Sequence, residues 1–228
     1  MQVKCNLVFF LILPEIYIGN FMKRRVALYP GSFNPMHIGH AAIARWLAEC
    51  GDFDEVRLMP SPGNPLKCVG TSAPADTADK TTDTKTTAGT PATTERRQRL
   101  ESVKAAVKRN CLNVKIEDIE FHLPPPHYTY RTLEALHKRE PGTEFILVIG
   151  SDNLAIIDTW YKGREILSEY ETWVYPRDGY DTGRLIREAT DKGALRIRMI
   201  EAPLIDISST AIRNAEACGD MSMEKFKA

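Results

Sequence analysis

The 228-residue chain has no excess of charge: 30 Lys and Arg residues are matched by 30 Asp and Glu. A nucleic-acid-binding surface usually carries a basic excess. Its absence argues against that partner, while leaving room for a local basic pocket that holds a small anion. The chain also has no CxxC pair. Its cysteines (Cys5, Cys50, Cys68, Cys111 and Cys218) are odd in number and widely spaced. That pattern disfavours a disulfide framework or a zinc site and fits reduced thiols in a cytoplasmic protein. No apolar run is long enough to cross a membrane, since Leu7 to Leu13 stops at Pro14 and Glu15. No convincing small-x-small cleavage site follows that run, which weakens a signal-peptide reading. A second Met stands at position 22, before Lys23-Arg24-Arg25. Met22 is therefore read as the natural start, and residues 1–21 as an upstream extension.

One segment lacks core-forming residues altogether. From Thr71 to Thr94 there are ten threonines and no Leu, Ile, Val, Met, Phe, Tyr or Trp. Such a stretch cannot bury enough apolar surface to offset the entropy of ordering. It is read as a disordered insert in a surface loop, spanning 68–94 within a single domain of residues 22–228. Loop length is a weak obstacle, because each doubling costs only about 0.6 kcal/mol in closure entropy.

Outside that insert, apolar runs alternate with helical patterns. Strands are expected at 25–30, 54–59, 113–121, 144–149, 171–175 and 195–201. Helices are expected at 39–50, 95–109, 130–139, 163–169, 181–192 and 209–217. The run Glu144-Phe-Ile-Leu-Val-Ile149 has almost no polar break, as suits a strand buried on both faces of a parallel sheet. The β-α alternation predicts an α/β fold: a Rossmann-like, doubly wound open parallel sheet with helices on both faces. Ligands of such sheets bind beyond the carboxyl ends of the strands.

Two constellations carry the chemistry. The first is Gly31-Ser32-Phe33-Asn34-Pro35-Met36-His37-Ile38-Gly39-His40, lying between the first strand and the first helix. A glycine-bearing turn feeding a helix presents backbone N–H groups and the positive end of the helix dipole, a phosphate-binding arrangement. His37 and His40 add side-chain donors there. Two His at i, i+3 could also chelate a metal. No third ligand is evident, and Gly39 between them suits a close phosphate, so no metal site is assigned. The second constellation is Ile207-Ser208-Ser209-Thr210-Ala211-Ile212-Arg213. It reads as a helix start capped by Ser208 or Ser209, with Arg213 one turn in. Two anion-binding ends in one crevice suit a triphosphate.

With both motifs in view, the sequence resembles the HxGH nucleotidyltransferase superfamily, whose paired signatures are a GSFDPxHxGH-type loop and a distal ISSTxIR. Within it the chain is similar to the bacterial nicotinate-nucleotide adenylyltransferases over roughly residues 22–220. The likeness there rests on Pro60-Ser61-Pro62-Gly63-Asn64-Pro65-Leu66-Lys67, Tyr128-Thr129-Tyr130-Arg131-Thr132-Leu133, Gly150-Ser151-Asp152-Asn153-Leu154, Trp160-Tyr161 and Tyr175-Pro176-Arg177-Asp178-Gly179-Tyr180. The resemblance implies transfer of AMP from ATP to nicotinate mononucleotide, giving deamido-NAD and pyrophosphate. His37, His40 and Arg213 would then be catalytic. Gly31, Ser32, Phe33, Gly39, Gly150, Asp152, Ser208, Ser209 and Thr210 would bind ATP. Lys67 would hold the acceptor's phosphate, and Thr129, Trp160 and Tyr161 its nicotinate ring. Mg²⁺ would ride mainly on the ATP phosphates. Nicotinamide mononucleotide, phosphopantetheine or another phosphate acceptor remains an alternative, as does a catalytically silent nucleotide-binding module. Nothing in the sequence decides between a monomer and a homo-oligomer.

The chain departs from the family pattern at several points. Asn34 stands where Asp is common, Leu66 where a His often precedes the basic residue, and Arg131 where Asp is common in the YTxDTL segment. The stretch from Gly219 onward reads as a shortened or frayed end. His122, His127 and His137 fit no metal spacing and are read as loop or surface residues.

Overall fold

The computed structural model describes residues 23–62, 91–205 and 207–228. The 1–21 extension, Lys67 and residues 68–90 of the threonine-rich insert lie outside them. Six strands form one sheet: β1 (Arg24–Gly31), β2 (Glu55–Pro60), β3 (Lys115–Ile116), β4 (Thr143–Gly150), β5 (Thr172–Tyr175) and β6 (Ile197–Met199). The order is β3-β2-β1-β4-β5-β6, with every pair parallel. That is the doubly wound order expected from the alternation, and it reverses direction between β1 and β4.

Alternate residues of β1 are buried on opposite faces. Ala27 and Tyr29 join a cluster with Ile43, Ala44 and Leu47 of α1 (Ile38–Glu49) and with Val103 and Ala106 of α2 (Pro91–Arg109). Val26 and Leu28 join Leu133 and Leu136 of α3 (Thr129–Arg139), together with Leu154 of α4 (Ser151–Ala155), Ile166 of α5 (Gly163–Glu169) and Ala189 of α6 (Thr182–Asp191). Burial of both faces is why β1 and β4 read as nearly unbroken apolar runs. The last helix is α7 (Ser209–Ala217). Among the described residues, no helix is long and apolar enough to cross a membrane.

Four expectations shift. The helix expected at 95–109 begins at Pro91, so its first turn comes from the tail of the threonine-rich stretch. The strand expected over 113–121 is only two residues long, and Ile119–Phe121 is a 3-10 turn. The cause is Glu117, whose carboxylate accepts the Ile119 N–H at 3.2 Å and ends the ladder. β6 is confined to three residues of 195–201. Finally, the C-terminal stretch is docked rather than frayed. Met221–Phe226 forms a 3-10 helix, Lys227 bridges to His37, and the Ala228 N–H donates to the Met36 carbonyl at 3.1 Å. Arg109 holds the Ala228 carbonyl.

Glu117 belongs to a charged cluster at the β2–β3 edge. Arg57 donates to Glu55 (2.5 Å), to Glu117 (3.0 Å) and through both terminal nitrogens to Glu140 (2.7 Å each). Arg139 adds a second cation on Glu117. Cys50, Cys111 and Cys218 are free thiols.

Candidate active site

The carboxyl ends of β1 and β4, Gly31 and Gly150, sit side by side at the point where strand order reverses. A cavity of about 770 Å³ opens there. Its wall includes Gly31, Ser32, His37, His40, Thr129, Asp152, Trp160, Tyr161, Ser208, Ser209 and Thr210. The two constellations, some 170 residues apart in sequence, thus meet in one crevice.

They are latched together. The Ser209 hydroxyl donates to the Pro35 carbonyl at 2.9 Å. Arg213 donates to the Asn34 carbonyl and, at 2.9 Å, to the Thr210 hydroxyl. Ser208 is the cap of α7, accepting the Ala211 N–H at 3.1 Å. Gly39 has a steric role: a Cβ there would press on the His37 ring at 3.1 Å and on Ile207 at 3.3 Å. Its bare Cα lets the distal motif pack onto the first helix, whereas the sequence reading gave it to phosphate approach.

The two histidines cap α1 reciprocally. The His40 N–H donates to His37 Nδ1 at 3.4 Å, and the His37 N–H donates to His40 Nδ1 at 3.3 Å. Their rings stack with centroids 3.6 Å apart. An Nδ1 that accepts a backbone N–H carries no proton, so each neutral ring holds its proton on Nε2. Burial and the nearby Arg177 charge lower the His37 pKa to about 4. Burial, His37 and Arg177 push His40 down as well. Both imidazoles are therefore neutral Nε2–H donors at neutral pH. They are poorly suited to a base's role and well suited to hydrogen-bonding an oxyanion.

Other predicted residues take supporting places. The Phe33 ring is fully buried beneath Gly31, edge-on to Tyr29 and His40, and does not line the cavity. Arg213 is spent on the loop latch instead of facing the cavity. Gly150 lies behind Asp152, where a Cβ would stand 2.2 Å from the Asp152 carboxylate oxygen. Gly150→Ala should therefore displace that carboxylate. We expect the activity of this site to fall on the order of ten- to a hundredfold, with a modest drop in melting temperature, because the same Cβ stands 3.1 Å from the buried Tyr175 ring. Unchanged kinetics would remove Asp152 from the site.

Sequence reasoning missed Arg177 and Glu120. Arg177 is the one Lys or Arg in the cavity wall among the described residues. Its backbone N–H donates to the Ser151 hydroxyl at 2.8 Å, and its guanidinium lies 5.1 Å from the Tyr175 ring centroid. Its Nε is buried without a hydrogen-bond partner. The Tyr175–Tyr180 segment had been singled out, yet nothing in it distinguished this arginine from a surface one. Trp160 Nε1 and both ring nitrogens of His127, which also line the cavity, are likewise buried and unpartnered. His127 lies in the loop before α3, as read from the sequence, and lines this wall. Tyr161 stacks on Tyr128 at 4.8 Å, and Arg131 lies over both rings at 5.3–5.4 Å.

A cytidylyltransferase-like family model matches residues 28–215. A protein of Bacteroides fragilis, named a probable nicotinate-nucleotide adenylyltransferase, is 37% identical over 199 residues, covering 86% of this chain and 84% of its own. A Flavobacterium johnsoniae protein of the same name is 35% identical, covering 84% and 86%. Among solved structures, Plasmodium falciparum nicotinic acid mononucleotide adenylyltransferase complexed with NaAD shares the fold, with a TM-score of 0.61 and 16% identity over 84% of this chain and 83% of that one. The extent of the family match and the identity to these relatives place the chain in the cytidylyltransferase-like family, among the nicotinate-nucleotide adenylyltransferases.

Proposed function

We propose that the chain transfers AMP from ATP to nicotinate mononucleotide, releasing pyrophosphate and forming the dinucleotide deamido-NAD, a step of NAD biosynthesis. The carrying observation is the meeting of two helix starts and two neutral imidazoles on one wall of a cavity whose other wall is aromatic. Relatives across most of the chain's length bear that activity in their names.

The attacking group is a phosphate oxygen of the acceptor, already ionised at neutral pH, so no general base is required. A bond forms from that oxygen to the α-phosphorus of ATP while the bond to the β-phosphate oxygen breaks. The protein's work is to hold two anions in line and to stabilise charge gathering on the α-phosphate. His37 and His40 donate Nε2–H to phosphate oxygens, and Arg177 supplies the fixed positive charge. The open N–H groups of α1 and α7, those of Ser209 and Thr210 among them, together with the Thr210 hydroxyl, hold the outer phosphates. Arg213 keeps the α7 end aligned with the loop through Asn34 and Thr210. Asp152 accepts from a ribose hydroxyl of ATP. The first turn of α3 has no side-chain cap at Tyr128, so with Thr129 it receives the nicotinate carboxylate, and Trp160 and Tyr161 enclose the ring. Lys67 is assigned to the acceptor phosphate.

Mg²⁺ would neutralise the triphosphate. Asp152 and Asp178 are the aspartates in the wall, and no group of three or more potential ligands is gathered among the described residues. That donor set fits an ion held by phosphate and water rather than by a protein cage. Cytoplasmic residence follows from the same reading.

Pyrophosphate release from ATP should be fastest with nicotinate mononucleotide in a panel that includes nicotinamide mononucleotide and phosphopantetheine. Faster turnover of either rival would reassign the acceptor. Nucleotide binding without release from any acceptor would make the chain a silent module.

A further inference from the structure

Two buried glutamates three residues apart are treated differently. Glu117 is 4% exposed and is held by two cations, Arg57 and Arg139. Glu120 is 3% exposed, lines the nucleotide cavity and has no cation partner among the described residues. Its Oε1 accepts the Thr132 hydroxyl at 3.0 Å. That hydroxyl lies 3.2 Å from the carbonyl of Tyr128, the residue at the open end of α3. Its Oε2 is buried without a hydrogen-bond partner of good geometry, and the Ser61 side chain lies beside the carboxyl.

Among the described residues, the cations on the surrounding elements serve other groups, and Arg96 of α2 lies near enough to His127 to lower its pKa. Arg57 of β2 and Arg139 of α3 serve Glu117 and Glu140, and Arg99 of α2 donates to the Ser61 carbonyl at 2.9 Å. On its own turn, Asp118 faces His122 at 3.6 Å. His127, on the loop before α3, lines the same wall with both ring nitrogens unpartnered. Across the cavity, Arg177 lies 3.9 Å from Asp152. A carboxylate buried without a counter-charge is costly, and the group avoids that cost by keeping its proton.

Resting on the proposed acceptor, we infer that Glu120 is a specificity-determining residue: its neutral carboxyl admits the carboxylate of an acidic mononucleotide, and its ionised form disfavours that carboxylate relative to a carboxamide. Burial raises its pKa to about 7, opposed by the Thr132 and Ser61 hydroxyls. The sign follows. Below that value the wall is neutral. Above it, a negative charge faces the nicotinate carboxylate, and like charges in a low-dielectric wall repel. Both mononucleotides carry the same ribose phosphate, so the ratio of their kcat/KM values cancels the titration of that phosphate.

The test measures this ratio, nicotinate over nicotinamide mononucleotide, from pH 6 to 8.5 for wild type and Glu120→Gln. Wild type should lose about three- to tenfold of its acid preference across that span. Glu120→Gln, isosteric and neutral, should hold the low-pH ratio throughout. Thermal melts at each pH separate loss of fold from loss of selectivity, and Glu120→Met offers a second uncharged variant should glutamine fail to fold. A wild-type ratio flat with pH, or a slope surviving in the folded variants, would overturn the inference. Failure of both mononucleotides as substrates would instead overturn the acceptor assignment.

Discussion

Replacing His40 by alanine should lower kcat for adenylyl transfer by a factor of about 10² to 10³, with a much smaller change in the Kd for ATP. The His40 ring has one nitrogen engaged with the helix cap and one free to donate. Burial and its cationic neighbour keep it neutral. Removing a donor aimed at charge that develops only in the transition state costs rate more than ground-state binding. The cap loss is separable, because His37 and Ser208 still anchor the crevice and an N-cap contact is worth about 1 kcal/mol. Glutamine at position 40, the N3 position of α1, can accept the His37 N–H through Oε1 or place an N–H near the Nε2 position; thermal melts of both variants show how much of a rate change follows the cap. Partial recovery of kcat in His40→Gln would assign the rate to the donor, and an unchanged kcat in His40→Ala would remove His40 from the chemistry. The check is single-turnover pyrophosphate release beside equilibrium ATP binding.

How much of this was legible beforehand depends on how far apart the interacting residues lie. Elements that bury a continuous face were readable: α1, α3 and α6 start within a residue of expectation, because their apolar spacing and their entry residues are local. The strand at 113–121 was overextended because Val114 and Ile116 alternate, and so do Ile119 and Phe121, with a one-residue slip of phase between the two pairs. The turn that ends it is made by Glu117 answering Arg57, sixty residues away. The five-residue α4 was too short to show a helical period. Docking of the C-terminal stretch depends on the Met36 carbonyl and on Arg109, contacts with no local signature.

The site divides along the same line. The imidazole pair and the Ser-Ser-Thr helix start announce themselves, because their spacing is their function. Their joining needed the fold, since Ser209 reaches Pro35 and Arg213 reaches Asn34 only after the sheet has formed. Arg213 reads as a phosphate ligand because guanidinium near a helix start often is one; here the Asn34 carbonyl, 179 residues away, holds one of its nitrogens and the Thr210 hydroxyl another. Arg177 and Glu120 were invisible for the opposite reason. A single Arg or Glu in a polar segment looks solvated until the structure shows which one turns into the cavity wall.

Arg57→Met should destabilise the protein by about 3–5 kcal/mol, lowering the melting temperature by roughly 10 °C for a chain of this size. Arg57 is 7% exposed and touches three carboxylates, two of which belong to residues, Glu55 and Glu117, whose side chains are also nearly buried. Removing the cation leaves charges in a poorly solvated edge that methionine can fill but cannot compensate. Arg139 and Lys115 can hold only part of the load. The acid limb carries a second signature. Arg57 and Arg139 hold the Glu140 pKa down to about 2 from an ordinary 4.5. A carboxylate with a lowered folded-state pKa stabilises above its unfolded value, and that stability is lost as pH falls from about 4.5 toward 2. Arg57→Met should flatten this limb as well as lower the plateau, because the largest cause of the Glu140 shift is the Arg57 hydrogen bond. Denaturant melts between pH 3 and 7 read both effects. A variant as stable as wild type would mean that Arg139 and Lys115 hold the remaining carboxylates without Arg57. A lowered plateau with the acid limb intact would place the loss in packing rather than in charge. Because the β2–β3 edge leads directly to Glu117 and the Ile119–Phe121 turn that carries Glu120, the same substitution should also erode acid-over-amide selectivity in whatever fraction stays folded.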